Sequence, residues 1–512
     1  MQKKLHSARA NTSGLGYMPT SIGSRDRVRS TGAEAFRFLR DSKVMQATKR
    51  LFQLATVLAL ALSQMPANAQ QVPARSSSLA AAVNTTVAGT NTVAAGATDA
   101  HPSDPPNSAS GGIPVGTVIT MQNWQQYQQF MSDGLVALFA GKYFWKMPAD
   151  VAMEVGPTIV NPSPKNYQEA TEKYAGQVQV VELPDGGLTL ANYQGGLPFP
   201  NPTEPHKGWK ILANVWYRYI PHLSYISNAS GCTMNSTGNI DCSTGNVVYR
   251  QLSFNTDPGV AGQAPDAQGR FYTQWFMILE PEQDRYTASL TIAYNDLTRQ
   301  QDLYAFIPSL RRSQPISAAA RCGQTSGMDI NQDDYRSGFN SNLTQFNVDY
   351  SGQKKVLALI LAKMPNSKFP QGYDMPLGWP EPSWGKWQVR DVDVISALKL
   401  PAQSKGYCYG KRVMYVDQPN SAPLWEELYD PDGKLWKIGG LFLHTIDVPN
   451  VGPVDTSGSL LYEFWDIQNK HASIIADPTN NSYPFYVNEQ VPKDYRDITR
   501  YSTPSGLNMI MR

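Results

Sequence analysis

The chain has 512 residues, of which 41% are hydrophobic and 17% are charged, and it contains 11 Trp and 26 Tyr. This composition excludes a wholly disordered protein, and the lack of any apolar run of 18 residues excludes a polytopic membrane protein. The net charge of +2 is uneven, because residues 1–69 hold 11 Lys or Arg and three acids, so the rest carries −6. A mildly acidic body argues against a nucleic-acid partner.

Residues 49–69 have the features of an export signal. Lys49 and Arg50 precede a twelve-residue apolar segment, 51–62, which is too short to span a bilayer. Residues 67–69, Ala-Asn-Ala, have the small-x-small pattern that a signal peptidase recognises. A short buried helix is the alternative interpretation of the apolar segment.

We expect export to remove the leader, residues 1–69, by cleavage between Ala69 and Gln70. Met45 is a natural start for such a signal. The mature protein is expected to be soluble in the periplasm, with no transmembrane helix and with outer-membrane association left open.

The segment 70–112 is rich in Ala, Ser, Thr, Asn and Pro and holds no aromatic residue. Few of its side chains can bury enough surface to offset chain entropy, so we predict a flexible tether. All 11 Trp lie beyond it, and the folded β domain is expected to occupy residues 113–512.

The body is predicted to open with a helix over residues 120–140, capped by Thr120. Its apolar positions recur at spacings of three and four residues: Trp124, Tyr127, Met131, Leu135 and Leu138. A second short helix is predicted over residues 164–174, with Pro164 in its first turn.

Strands are predicted to dominate the rest of the body. Alternating apolar and polar residues indicate a half-buried strand over residues 286–294. Turn residues between apolar runs predict three hairpins, which pair residues 177–183 with 188–193, 425–429 with 434–438, and 460–467 with 472–475. The connections are too short for regular βαβ crossovers, so we predict a mainly antiparallel α+β fold.

Two of the predicted strands, residues 275–279 and 304–307, are apolar on both faces. Both faces should therefore be covered, one by the helix at 120–140 and the other by a second sheet or by a ligand cavity. For a cavity, the candidate ligand-binding residues are Trp275, Met277, Leu279, Leu290, Ile292, Tyr304 and Phe306.

Arg311 and Arg312 follow the second of these strands. Adjacent residues on a strand point to opposite faces, so one of the two could look inward at an acidic head group. We therefore include Arg311 among the ligand-binding candidates. The alternative is a pair of surface arginines or an ion pair with an acidic residue.

The body has four cysteines, and an even number in an exported chain favours disulfides. Cys232 and Cys242 bracket a polar loop, so their local pairing is the simplest of the three connectivities. It leaves Cys322 to pair with Cys408. Four free buried thiols are the alternative.

Standard catalytic motifs are missing from the chain. It has no G-x-S-x-G, H-E-x-x-H, P-loop or G-x-G-x-x-G pattern, and its histidines are scattered. Asp391 and Asp393 lie two apart on a predicted strand, where a solvated strand face explains them better than a glycosidase pair. We expect no metal, no cofactor and no enzymatic activity, although a triad of residues distant in sequence stays open.

Five segments resemble, in order, an exported family known as domain of unknown function 1329. Residues 192–200 follow the pattern Y-x-G-G-x-P-F-P, with Gly208 and Asn214 downstream, and residues 304–312 follow aromatic-x-x-x-P-x-x-R-R. The other three segments are residues 389–395, 409–417 and 429–436. The resemblance runs from residue 113 to 512 and departs from the family around residues 209–219, 232–242 and 322–340.

The resemblance implies a fold similar to the lipoprotein carriers LolA and LolB, which is a strongly curved, incompletely closed antiparallel barrel plugged by helices. It also implies carriage of a lipid-like molecule across the periplasm, beside a resistance-nodulation-division (RND) type exporter and an outer-membrane protein. An exported hydrolase and a scaffold subunit without a ligand are the alternative functions.

Overall fold

The computed structural model describes residues 109–511, apart from residues 326, 337, 364–368, 406, 457–461 and 477–484. The predicted leader, its cleavage site between Ala69 and Gln70, and the predicted tether up to residue 108 lie outside the described residues. Residues 109–112, the end of the predicted tether, take part in a short hairpin.

The strands are, in chain order, β1 (Ala109–Ser110), β2 (Ile113–Pro114), β3 (Val118–Ile119), β4 (Met153–Glu154), β5 (Gln179–Glu182), β6 (Leu188–Ala191), β7 (Leu223–Asn235), β8 (Ile240–Gln251), β9 (Arg270–Glu280), β10 (Ala288–Tyr294), β11 (Asp302–Ile307), β12 (Arg312–Pro315), β13 (Phe346–Ala358), β14 (Tyr373–Asp374), β15 (Trp379–Pro380), β16 (Gln388–Lys399), β17 (Lys411–Asp417), β18 (Pro423–Tyr429), β19 (Leu435–Leu441), β20 (His444–Val448), β21 (Gly452–Thr456), β22 (Tyr462–Asp466), β23 (His471–Ala476) and β24 (Phe485–Val487). The α-helices are α1 (Asp133–Phe139), α2 (Lys165–Tyr174), α3 (Lys207–Tyr217), α4 (Pro401–Ser404), α5 (Ile498–Tyr501) and α6 (Pro504–Leu507).

One large curved sheet organises the body. Its strand order is β12-β11-β10-β9-β8-β7-β23-β22-β19-β18-β17-β16-β13, with β24 added beside the first part of β7. Every pair in this sheet is antiparallel. Within the described residues, β12 and β13 each pair on one side only, so the sheet does not close. The predicted fold class is confirmed.

The predicted hairpins are confirmed. Strands β5 and β6 pair around residues 183–187, β18 and β19 pair around residues 430–434, and β22 and β23 pair around residues 467–470. In each, a short turn with Gly or Asn separates two apolar runs, which is why local sequence predicts them well.

The predicted helix over residues 120–140 is wrong as a single helix. The chain forms a 3₁₀ helix over Trp124–Phe130, turns extended at Met131, and starts α1 after Ser132. The Ser132 hydroxyl accepts a hydrogen bond from the Leu135 amide, so Ser132 caps a new helix in the middle of the apolar pattern. The second predicted helix is confirmed as α2.

Residues directly opposite each other on paired strands share a face of the sheet. On one face, Gln274 lies opposite Tyr249 and Thr291, and Phe276 follows two residues later. Residues 316–345 connect β12 to β13 and hydrogen-bond to this face. We call these residues the plug segment and this face the plug face. Helix α3 packs on the same sheet at β13 and β16.

The opposite face, which we call the back face, carries Trp275 opposite Val248 and Leu290. The C-terminal residues 485–511 cover it, and the rings of Trp275 and Tyr501 lie 5.0 Å apart edge to face. Strand β9 is therefore covered on both faces, as its sequence predicts. Helix α1 packs elsewhere, on β18 and β19. The C-terminal segment and the plug segment take the places predicted for that helix and for a second sheet.

Both predicted disulfides are confirmed. Cys232 and Cys242 are bonded as direct cross-strand neighbours on β7 and β8, and Cys322 is bonded to Cys408. The second bond ties the start of the plug segment to the loop before β17.

Candidate ligand-binding site

A cleft lies between the plug face and the plug segment. Val247, Phe276 and Thr291 line it from the sheet, and Met328, Gln332 and Tyr335 line it from the plug segment. The cleft holds about 580 Å³ of space, part of which is open to solvent. Its largely apolar lining is typical of sites for small hydrophobic ligands.

Small residues on the sheet leave room for the cleft. Ser289, Gly231 and Ala229 stand where larger side chains would fill the space. A Cβ atom added at Gly231 would lie 2.6 Å from the Sδ atom of Met328, so the plug segment packs directly on the glycine. The sequence therefore sets the distance between the plug segment and the sheet at this point.

One hydrogen bond crosses the cleft. The Nε2 atom of Gln332 donates to the Oγ1 atom of Thr291 at 2.8 Å. Because both residues line the cleft, a ligand that enters between them must compete with this bond.

Buried ion pairs hold the plug segment on the sheet. The Arg412 guanidinium on β17 donates to Asp334 of the plug segment at 2.5 Å and to Glu426 of β18 at 2.6 Å. Within the plug segment, Arg321 pairs with Asp333 at 2.6 Å. All of these carboxylates are buried. Removing one partner of such a pair leaves an uncompensated buried charge, so the network favours a single position of the plug.

The surroundings shift the pKa values of this network in different directions. Burial raises the pKa of Glu426 to about 7, although Arg412 acts against the shift. Burial also pushes the pKa of Asp333 upward, but Arg321 and Lys399 outweigh it and the pKa ends below its usual value. Burial lowers the pKa of Lys399 to about 8. Glu426 and Lys399 are therefore the groups here that change protonation near neutral pH.

The seven apolar residues that the sequence singled out lie together on the back face, not in the cleft. Leu290 lies opposite both Trp275 and Tyr304, and Phe306 lies opposite Ala288. The C-terminal segment packs on this face through Tyr501 and other residues, and Leu290 is fully buried. Ligand binding by Trp275, Met277, Leu279, Leu290, Ile292, Tyr304 and Phe306 stays a prediction, and it would require the C-terminal segment to move.

Arg311 does not look inward. Residues 308–310 form a short 3₁₀ helix, and Arg311 ends it with a left-handed backbone conformation (φ 50°). Arg311 and Arg312 are both exposed, which agrees with the alternative of surface arginines. The prediction of an inward arginine in this pair is wrong, because the turn between β11 and β12 removes the strand alternation on which it rested.

Two further cavities meet at Arg218, which the sequence analysis did not single out. One is lined by Tyr167, Arg218 and Asp455, and the other by Tyr217, Arg218 and His222. The sequence signal nearest to them was the stretch 209–219, where the chain departs from the family, and most of this stretch lies in α3.

The described part of the chain shows no cluster of His, Cys, Asp or Glu that could hold a metal ion. His222 Nδ1 lies 2.8 Å from Asp257 Oδ2, but that carboxylate also accepts from Tyr219 and Asn488. This arrangement ties β7 to the C-terminal segment. Asp391 is exposed and pairs with Lys355 at 2.6 Å, as expected for a solvated strand face.

Across the residues that the structure describes, no helix has the length and apolar character needed to cross a membrane.

The family model described as "Protein of unknown function (DUF1329)" matches residues 118–507. The chain belongs to this family. No curated protein matches the sequence. The resemblance inferred from the five segments is thus confirmed. The description of the family names no activity.

Several solved structures are similar to this DUF1329 protein. One is a DUF1329 family protein from Desulfovibrio piger, with 11% identity and a TM-score of 0.40, covering 59% of this chain and 100% of that chain. Another is a putative outer membrane lipoprotein-sorting protein domain from Vibrio parahaemolyticus, with 14% identity and a TM-score of 0.38, covering 57% and 97%. A LolA superfamily protein from Nitrosomonas europaea has 16% identity and a TM-score of 0.31, covering 58% and 98%.

The DUF1329 pattern at residues 192–200 has a structural role in this chain. The Tyr193 hydroxyl donates to the Gly196 carbonyl at 2.9 Å, and Asn214 of α3 exchanges two hydrogen bonds with the backbone of Phe199. A Cβ atom at Gly196 would lie 2.4 Å from the backbone nitrogen of Thr171, so only glycine fits there. The pattern fastens α2 to α3.

Proposed function

We propose that this protein is a periplasmic carrier or accessory protein that binds a hydrophobic, lipid-like ligand. The observation that carries the proposal is the cleft between Phe276 on the sheet and Met328 on the plug segment. This partly open sheet face suits an apolar ligand better than a reaction, since the described residues that line the cleft include no His, Cys, Asp, Glu, Lys or Arg.

The affinity of such a ligand depends on how much of its apolar chain the cleft buries. Each buried methylene group contributes about 0.8 kcal/mol. Association itself costs on the order of 4–15 kcal/mol, and a chain of about twelve carbons contributes about 10 kcal/mol, which exceeds the lower half of that range, so we expect ligands of at least this length.

The proposed setting follows from the sequence. The export signal before Gln70 supports a periplasmic location, and the family resemblance suggests work beside an RND-type exporter and an outer-membrane protein. A lipid taken from one membrane and delivered to another requires a water-soluble carrier, because free lipid partitions into bilayers. Outer-membrane association is part of the proposal.

Native mass spectrometry of protein purified from the periplasm tests the proposal. We expect a lipid-sized mass that leaves on delipidation and returns when lipid extract is added. Protein that never carries or rebinds lipid would favour the scaffold alternative. Turnover of an ester substrate, lost in His222→Ala, would favour the hydrolase alternative.

A further inference from the structure

A cluster of buried hydrogen-bond donors lies where Arg336 of the plug segment meets α3 and the sheet. The Nε and Nη2 atoms of Arg336, the Nε1 atom of Trp216 and the hydroxyl of Tyr249 are buried and have no hydrogen-bond partner. Arg336 is only 5% exposed. Buried polar groups are nearly always hydrogen-bonded, because their desolvation is otherwise uncompensated.

Aromatic rings bring these donors into one site. The Arg336 guanidinium lies 4.8 Å from the ring centroid of Trp216 and 4.8 Å from that of Tyr272. Tyr249 stacks on Tyr272 with the ring centroids 5.4 Å apart. The rings hold the guanidinium in a fixed plane, which suits planar recognition of an oxyanion.

A second buried arginine adds to the positive charge. Arg218 is 6% exposed, and its Nη2 atom donates to the Arg336 carbonyl at 2.7 Å. Neither arginine forms an ion pair with any residue in the described ranges, and the buried carboxylates Asp334 and Glu426 are already bonded to Arg412. Glu426 is close enough to Arg218 to interact electrostatically, but its hydrogen-bonded partner is Arg412. Two buried cations that lack a directly bonded counter-ion are stabilised when an anion joins them.

The cluster adjoins an opening in the surface. Arg218, Tyr217 and Phe271 line one cavity, and the Arg336 guanidinium lies 5.4 Å from the centroid of the Phe271 ring. Burial and the neighbouring Arg336 lower the pKa of Arg218 to about 9. Negative charge placed here would therefore be stabilised by both arginines.

We propose that Arg336, Arg218, Trp216 and Tyr249 bind the oxyanion head group, carboxylate or phosphate, of the lipid-like ligand. The inference rests on the proposed carrier function and names the ligand class, an anionic amphiphile. Every unpartnered polar atom of Arg336, Trp216 and Tyr249 can donate a hydrogen bond, which selects for an acceptor-rich group.

Isothermal titration calorimetry on the periplasmic protein compares three ligands with one chain length: dodecanoate, dodecyl phosphate and the neutral dodecanol. We expect at least one of the two anions to bind about tenfold more tightly than dodecanol, and the stronger of the two identifies the head group. The substitution Arg336→Met keeps an apolar side chain between the rings and should abolish the preference while dodecanol binding persists. Arg285→Met, which changes an exposed arginine paired with Glu282, should leave it unchanged.

The substitution Tyr249→Phe gives an independent test, because it removes only a hydroxyl that bonds to nothing in the structure. A structural role predicts no effect on affinity, whereas the proposal predicts weaker binding of the anion alone. If Arg336→Met does not fold, Tyr249→Phe decides.

Equal affinity for all three ligands would overturn the head-group site and leave the carrier function standing. So would an anion preference that survives both substitutions. Binding of inorganic phosphate that depends on Arg336, with no binding of any amphiphile, would support the anion site and overturn the carrier function. No binding of any probe would overturn both.

Discussion

Met328 of the plug segment rests on Gly231 of β7, so closely that an added Cβ atom would lie 2.6 Å from its Sδ atom. This contact fixes how near the plug segment approaches the sheet. Because both residues line the cleft, their fit also sets its width.

The substitution Gly231→Val should therefore push Met328 and the plug segment away from the sheet. We expect a loss of about 1–3 kcal/mol in the free energy of unfolding, the usual range for overpacking. Urea unfolding measures it. Adding Met328→Ala should recover part of the loss, since it removes the clashing atoms. Additive losses in the double variant would show that the two residues do not act through this contact.

The two disulfides should contribute unequally to stability. On the chain-entropy model, the Cys322–Cys408 bond closes the longer loop and contributes about 4–5 kcal/mol, against about 3 kcal/mol for Cys232–Cys242. Replacing each pair by serines and comparing thermal unfolding tests the order. A larger loss of stability on replacing Cys232 and Cys242 would contradict the role of the Cys322–Cys408 bond in fastening the plug segment.

Glu426 should make stability depend on pH near neutrality. Its pKa is about 7 in the folded protein and near 4.5 when unfolded, so the folded state holds a proton that the unfolded state releases between these values. Its contribution is full below about pH 4.5 and is lost as the pH rises through 7. Arg412, Asp334 and Arg218 are the charged groups that influence it.

We expect the unfolding free energy of wild type, relative to Glu426→Gln, to fall by about 1–3 kcal/mol between pH 5 and pH 8. Urea unfolding at several pH values measures it, and Glu172→Gln on the exposed side of α2 is the matched control. If wild type and Glu426→Gln show the same pH dependence of stability, Glu426 is not its source.

Export should remove the leader through Ala69. The apolar segment 51–62 and the Ala-Asn-Ala site at 67–69 are the reason. N-terminal sequencing of the periplasmic protein should begin at Gln70. A mature chain that still carries the apolar segment would show that the leader is not a cleaved signal.

Much of the fold could be predicted because its signals are local. The turn at residues 430–434 and the alternation along β10 each span fewer than ten residues, and tertiary contacts reinforce them. The break before Ser132 could not be seen, because the apolar spacing continues across it and only the cap and the extended Met131 reveal it.

The site was harder to predict than the fold. Alternation shows that β9 has two apolar faces, but only the tertiary structure shows that Trp275 meets the C-terminal segment while Phe276 meets the cleft. From the sequence, residues 322–340 of the plug segment show only a departure from the family pattern. Its burial depends on partners such as Arg412, which lies 78 residues from Asp334. No local sequence pattern predicts ion pairs between residues so far apart in the chain.

Two substitutions that introduce a charge, one on each face of the sheet, test the proposed ligand-binding cleft most directly. The measurement is the amount of lipid that copurifies with each protein. Phe276→Arg places a charge in the cleft, and Leu290→Arg places one in the packed back face, where it should unfold the protein. The account predicts that Phe276→Arg folds, with a melting temperature near that of wild type, and carries no lipid. Wild-type levels of lipid in a folded Phe276→Arg protein would contradict it.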